Sequence, residues 1–419
     1  TLEKLVGEIL KEEPGMVGLS AMTIQIGGVL ELTAELKKRK PSLKIIVGGH
    51  HVNATRAELL QFTENIDFLF YGEGEKEVYN LVKALESGTT LADIRGLIYK
   101  KEGRVIVNDP PLTIENLDEL PFPDLDLLDI KKYDIYYAKS LPLTSILASR
   151  GCPYQCIYCS ASLVHGKRFR LRSPANVVGE MLEDYQKYRI KQFVIKDSTF
   201  TADKQWVYDV CSEIQKRRLK IYWSCNTRAD LLDEALLKAM KQSGCCFISF
   251  GIESGSQKIL NALKKGMTTD HIRKAVALCK KVGIQTIGNF MIGNPTETEE
   301  DAKQTIAFIK ALNLDLAFTF LTIAYPGTEI YHWAQHHQAL SDRHWYMKEK
   351  KQAFAGGWEI NGSLELEGFP KEKAIAMVKK ANKSFYFRPS FILKRISNIR
   401  GVWDLKRNFT SLVKLLRKG

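Results

Sequence analysis

Apolar residues in this chain recur in two alternating rhythms. Leu2, Leu5, Val6, Ile9 and Leu10 follow the helical period and predict a first helix. Met16 to Ser20 is a short apolar run that reads as a strand. A helix follows from about Gly28 to Lys40, where Pro41 stops it. Lys44 to Gly49 and Ile66 to Tyr71 read as two more strands, each running into glycines. Leu97 to Val107 has the pattern of a hairpin around Glu102-Gly103. The stretch 109–141, rich in Pro, Asp and Leu, predicts an ordered linker. From 142 to 340 a strand-then-helix period repeats six times. The predicted strands are Thr144–Ser149, Gln192–Lys196, Ile221–Asn226, Cys246–Ile252, Thr286–Ile292 and Leu316–Ile323. Helical runs such as Ala175–Tyr188, Leu232–Gln242 and Thr298–Leu312 lie between them. The expected fold class is therefore α/β: a small parallel-sheet domain over 1–108, the linker, a partial (β/α)6 barrel over 142–340, and a mostly helical basic region over 341–419. In both kinds of sheet, ligands sit at the carboxyl ends of the strands.

The chain has 419 residues, 45% of them hydrophobic, enough for sizeable cores. It has no run of 18 apolar residues, so no membrane-spanning helix is predicted, and no signal peptide is visible at Thr1. The net charge of +13 sits almost wholly in residues 371–419, which carry 14 Lys/Arg against Glu372 and Asp404. The body is close to neutral, so no nucleic-acid partner is expected. Residues 388–418 interleave those cations with Phe391, Ile392, Ile396, Trp403, Phe409 and Leu416. That mixture predicts either a helix packed on the barrel or peripheral contact with the inner face of a membrane, with a small-molecule or lipid-like substrate. The expected location is cytoplasmic.

Chemistry enters with Cys152, Cys156 and Cys159, spaced C-x3-C-x2-C directly after the first barrel strand. A cubane iron–sulfur cluster normally takes four thiolates, so three leave one iron open to a further ligand. Structural zinc would need a fourth protein ligand, and His165 is the nearest residue of the right kind. Cys211, Cys225, Cys245, Cys246 and Cys279 are scattered in apolar segments and read as core thiols, as Trp206 and Trp223 read as core rings.

With this motif in place, the chain resembles the radical S-adenosylmethionine (SAM) superfamily, specifically the branch with an N-terminal cobalamin (B12)-binding domain. The resemblance covers nearly the whole chain. It implies a [4Fe-4S] cluster on the three cysteines, with SAM chelating the open iron and Tyr158 as the usual aromatic before the third cysteine. Lys196-Asp197-Ser198-Thr199-Phe200-Thr201 resembles the family's strand-two ending, with Asp197 as its acid. Asn226-Thr227-Arg228 resembles the strand-three signature, making Arg228 a candidate for the SAM carboxylate or a plain ion-pair residue. Gly251-Ile252-Glu253-Ser254-Gly255 resembles the strand-four signature, where Glu253 would accept the ribose hydroxyls or serve as a helix N-terminal acid. Gly293-Asn294-Pro295-Thr296-Glu297 resembles the strand-five motif, with Thr296 where the family has Gly. In the N-terminal domain, Gly48-Gly49-His50-His51 and Gly72-Glu73-Gly74-Glu75 resemble the loops that face the corrin ring. The implied cobalamin contacts are Gly48, Gly49, His51, Gly72, Glu73 and Gly74; those of SAM are Tyr158, Asp197, Arg228, Glu253, Ser254 and Gly293. Compared with the family, the chain begins about one βα unit late, and the family's D-x-H-x-x-G motif is absent from these residues.

The reaction implied is reductive cleavage of SAM to a 5′-deoxyadenosyl radical, then cobalamin-dependent methyl transfer to an unactivated carbon. An electron donor such as flavodoxin or ferredoxin would be required. Cyclisation or oxidation, an empty cobalamin domain, and a non-catalytic sensor are the alternatives.

Overall fold

The computed structural model describes residues 1–348, 362–389 and 391–393. They fall into two compact units whose boundaries do not run in sequence order. Unit 1 is Thr1–Glu115, Cys156–Arg168 and Ile323–Leu364; unit 2 is Asn116–Gln155, Phe169–Thr322 and the residues from Glu365.

Unit 1 is built on five strands: β1 (Met16–Ser20), β2 (Lys44–Gly48), β3 (Phe68–Phe70), β4 (Leu97–Lys101) and β5 (Arg104–Val107), paired in that order. The first three are parallel, as the strand–helix alternation requires, and the 97–107 hairpin adds two antiparallel strands. β2 and β3 are buried along most of their length, which is why they read as apolar runs instead of alternating. β3 is shorter than the predicted Ile66–Tyr71, because the Asp67 carboxylate is used to accept from Ile45 N at 2.8 Å. The core joins Ile45, Val47 and Leu69 to Val6 and Leu36 on helices, and to Trp345 and Tyr346 from a far-distant part of the chain.

Unit 2 holds β6 (Leu143–Ile146), the short antiparallel pair β7 (Ser149–Arg150) and β8 (Arg170–Leu171), then β9 (Gln192–Ile195), β10 (Tyr222–Thr227), β11 (Cys245–Glu253), β12 (Gln285–Ile292) and β13 (Leu316–Leu321). β6, β9, β10, β11, β12 and β13 form one parallel sheet in chain order, the arrangement of a partial barrel. Two strands end two or more residues earlier than the apolar pattern predicts. β6 stops at Ile146 because Ala148 N and the Ser149 hydroxyl turn to Asp197 instead of the ladder. β13 stops at Leu321, after which Ile323 bridges to Ser363 in unit 1.

One end of the sheet face is filled by the segment expected to be a linker. The Tyr137 ring lies 4.9 Å from Phe247, in a cluster with Ile287 and Leu316, while Ile135 and Ala138 pack on Leu143 and Val194. That leaves the carboxyl ends of the strands for chemistry. The helix Lys371–Tyr386 covers β13, with Asn382 bonded to both Thr319 N and O and the Tyr386 hydroxyl donating to Ala317 O. Most of the basic 388–418 tail lies outside the described residues. Among the described residues no helix is long and apolar enough to cross a membrane.

Candidate active site

The cysteine loop leaves β7 at Arg150. Cys152 and Cys156 are partly exposed, and Cys159 is exposed. The other five cysteines are all buried, and burial pushes the Cys211 thiol up to about 11 and that of Cys279 to about 12. A thiolate is what binds metal, so only the three motif cysteines have suitable surroundings. The donor chemistry therefore fits an iron–sulfur cluster. Among the described residues, no three Cys, His, Asp or Glu side chains converge where an ion would be held.

In unit 2, Asp197 sits just past the end of β9, and its carboxylate is 1% exposed. One oxygen accepts from Ala148 N at 2.7 Å and the other from the Ser149 hydroxyl at 2.6 Å. Burial pushes its pKa up to about 6 against these bonds. Asp197 thus steadies the chain three residues before Cys152, whose Sγ lies 3.8 Å from the Thr199 hydroxyl.

Arg228 is buried and already well paired. It forks onto Asp230 at 3.0 and 2.8 Å, donates to the Lys265 carbonyl at 2.6 Å, and stacks 3.9 Å over the Tyr154 ring. Tyr154 lies between Cys152 and Cys156, so Arg228 braces the cluster loop.

Glu253 ends β11 in a left-handed conformation, φ 68°, beyond a register shift at Gly251. A non-glycine residue held there stores strain of the kind found at functional sites. The Glu253 carboxylate pairs with Lys265 Nζ at 2.9 Å, both side chains under 10% exposed. A Cβ on Gly251 would lie 2.5 Å from Glu253 Oε1 and 2.9 Å from Lys265 Nζ, so the ion pair occupies the space this glycine leaves. Ser254 is fully buried, its hydroxyl 2.9 Å from that of Thr305.

Gly293 and Asn294 both donate their backbone N–H to Glu297 Oε2 at 2.7 Å, which fixes the turn after β12. Burial pushes the Glu297 carboxyl up to about 7. Thr296 adopts φ 62°, the conformation for which the family uses glycine.

In unit 1 the two glycine turns are joined by Asn53. Its amide donates to Gly49 O at 2.9 Å and its oxygen accepts from Gly72 N at 2.8 Å. A Cβ on Gly49 would come 2.8 Å from Ala21 N, and one on Gly72 2.1 Å from Pro111, so packing within the chain itself requires both glycines. Gly48 and Gly74 have only ordinary contacts at 3.4 Å. His51 is fully buried, its Nδ1 3.3 Å from the Thr23 hydroxyl and its ring edge-on to Tyr346 at 4.6 Å. Burial pushes its pKa down to about 3, so the ring is neutral near pH 7. His51 Nε2 is buried with no hydrogen-bond partner, an orphaned atom of the kind a ligand satisfies. Together with the glycine turns at the ends of β2 and β3, it fits a cobalamin-binding unit. Glu73 is buried and bonds His165 Nδ1 at 3.0 Å. Tyr158 is half-buried, in the stretch of the cysteine loop assigned to this unit.

Sequence reading missed Lys265, Tyr154, Asn53 and the His165–Glu73 pair. Lys265 follows a short helix with no motif of its own, and each of the others has a partner distant in the chain, from 19 residues away for Asn53 to 92 for His165.

Two family models match: the radical SAM superfamily over residues 146–309 and the B12 binding domain over residues 1–82. An uncharacterized methyltransferase of Pyrococcus horikoshii is 34% identical over 415 residues, 99% of this chain and 88% of that one. The anaerobic magnesium-protoporphyrin IX monomethyl ester cyclase of Rubrivivax gelatinosus is 29% identical over 325 residues, covering 76% of this chain but 58% of its own length. Among solved structures, the radical SAM methyltransferase TsrM of Kitasatospora setae, with cobalamin and [4Fe-4S] cluster bound, has the same fold. Its TM-score is 0.69 at 19% identity, over 93% of this chain and 81% of that one. The chain belongs to the radical SAM superfamily, in the branch that carries a B12-binding domain.

Proposed function

We propose that this protein is a cobalamin-dependent radical SAM methyltransferase acting on an unactivated carbon. The observation that carries the reading is the C-x3-C-x2-C loop at the carboxyl end of the first strand of a six-stranded parallel sheet, in a chain that also matches a B12 domain. When bound, the cluster and cobalamin supply the electron that opens SAM and the methyl group that is transferred.

The protein's own residues hold and shield these groups. Cys152, Cys156 and Cys159 are the metal ligands. Glu253, its carboxylate steadied by Lys265, accepts the ribose hydroxyls of SAM. Arg228 acts through Tyr154 and the Lys265 carbonyl, and Asp197 through Ala148 and Ser149, so both position the SAM site from behind. The turn at Gly293 would border the adenine of SAM. Gly48, Gly49, Gly72 and Gly74 would hold the corrin, with His51 and Glu73 positioning those turns. The substrate is a small molecule, and a flavodoxin or ferredoxin supplies the electron. Ring formation is the second reading, favoured by the likeness to the cyclase.

Anaerobically reconstituted protein tests the assignment. The expected result is 5′-deoxyadenosine release and bound corrin, with SAM cleavage abolished in Cys156→Ala. Cleavage by Cys156→Ala at the wild-type rate refutes the ligand set, and wild-type protein that retains no corrin refutes the cobalamin half.

A further inference from the structure

By its contacts, the stretch carrying Cys156 and Cys159 belongs to the same compact unit as the β2 and β3 glycine turns. Three links hold it there. Ile330 N donates at 3.0 Å to the carbonyl of Ile157, which lies between the two cysteines. A Cβ on Gly327 would come 3.0 Å from Leu163 and 3.2 Å from the Ala54 carbonyl, so the helix after the cysteines and the helix after Gly49 meet at this turn. The third link is directional and polar. His165, last residue of the helix Ala161–His165, places Nδ1 3.0 Å from Glu73 Oε1.

Glu73 has little freedom to do otherwise. Gly72, with φ 88°, is pressed against Pro111, and Glu73 Oε2 also accepts from Ile114 N at 3.3 Å. A carboxylate this buried needs partners, and its side chain is 5% exposed against 28% for that of His165. The helix Ala161–His165 also packs against the helix His50–Thr55 that follows the β2 turn, and burial first, and then the charge of His165, hold His50 below its ordinary value. One imidazole, six residues after Cys159, thus touches both glycine turns electrostatically.

We infer that Glu73 and His165 form a latch coupling the cysteine loop to the glycine turns, so that loading of the cluster and of cobalamin each depends on the other's loop. They are positioning residues, and the inference rests on cobalamin occupying this unit. Neither residue ligates a cofactor; each fixes backbone that does.

The test uses Glu73→Gln, His165→Gln and the double variant. Each is reconstituted with iron and sulfide alone, and separately incubated with hydroxocobalamin alone. Partners of this kind typically change cofactor affinity by about tenfold or more. His165→Gln, which leaves the glycine turns intact, is expected to weaken corrin retention about tenfold. Glu73→Gln, which leaves the cysteine loop intact, is expected to lower iron bound per chain. The double variant is expected to be no worse than the stronger single one. Hydrogen exchange over 156–166 in cofactor-free protein is expected to quicken in Glu73→Gln, a readout that needs neither cofactor. If each variant affects only its own side, or the double variant is the sum of the singles, the latch is refuted. Wild-type protein that loads iron but no corrin refutes the cobalamin reading instead, and the exchange and iron measurements still decide the latch. Should Glu73→Gln fail to fold, the partly exposed His165→Gln carries the test: unchanged corrin retention and unchanged exchange in that variant overturn the inference.

Discussion

Replacing Lys265 with methionine keeps the length of the side chain and removes its charge. Glu253 and Lys265 are 8% and 7% exposed and 2.9 Å apart. At an effective dielectric of about 20, charges at that distance attract by roughly 6 kcal/mol. Desolvation takes back part of this, and loss of one partner from a buried pair costs about 3–5 kcal/mol. Glu253→Gln is expected to cost a similar amount, since it strands the ammonium. The double variant Lys265→Met/Glu253→Gln strands neither charge, so the coupling between the two sites should be about 2–4 kcal/mol. Urea unfolding of the four cofactor-free proteins measures the cycle. Equilibrium dialysis of SAM against cluster-loaded protein reads the functional side, where Lys265→Met should weaken binding because the carboxylate is no longer aimed. Single losses below about 1 kcal/mol that simply add would refute the pairing argument. A large stability loss with unchanged SAM affinity would leave the pair structural and remove Glu253 from the ribose site.

Other consequences concern backbone strain and buried acids. Thr296→Gly relieves the left-handed φ of 62° and should stabilise the protein by about 0.5–1 kcal/mol, seen as a raised melting temperature. Gly49→Ala forces a Cβ to 2.8 Å from Ala21 N at φ 93°; it should cost about 2–4 kcal/mol and lower corrin retention. Asp184 is buried on the helix Pro174–Tyr188, and burial, followed by repulsion from Glu180 and Glu183, pushes its carboxyl up to about 7. The folded protein therefore holds a proton there, between about pH 4 and 7, that the unfolded chain releases, so this group's contribution to stability falls as pH rises through that window. Asp184→Asn should be stabilising by roughly 1–2 kcal/mol at pH 8 and neutral at pH 4, measured by urea midpoints at both pH values.

Much of the architecture was legible because burial on both faces of a parallel strand forces a continuous apolar run, and most of β2, β9, β11 and β12 follow from such runs. The metal motif was equally local: three thiols within eight residues need no tertiary information to be recognised. Strand ends were less legible. The first barrel strand reads as running on to Ser149, but β6 stops at Ile146 and Ser149 opens β7, its hydroxyl bonded to Asp197, 48 residues later.

The sequence by itself determined the fold class, the six-fold repeat and the three-cysteine motif, and it singled out Glu253 and Arg228 as candidates. Only the tertiary structure decided what those residues touch. Arg228 was open between a SAM ligand and an ion-pair residue, and folding gives it Asp230, the Lys265 carbonyl and the Tyr154 ring. His165 read only as the nearest candidate for a fourth zinc ligand, and folding sets it on Glu73, 92 positions away. A periodicity records which side of an element is buried, and a short motif records donor atoms in order. Neither encodes which distant side chain meets a buried charge, because that partner is chosen by the packing of the whole unit.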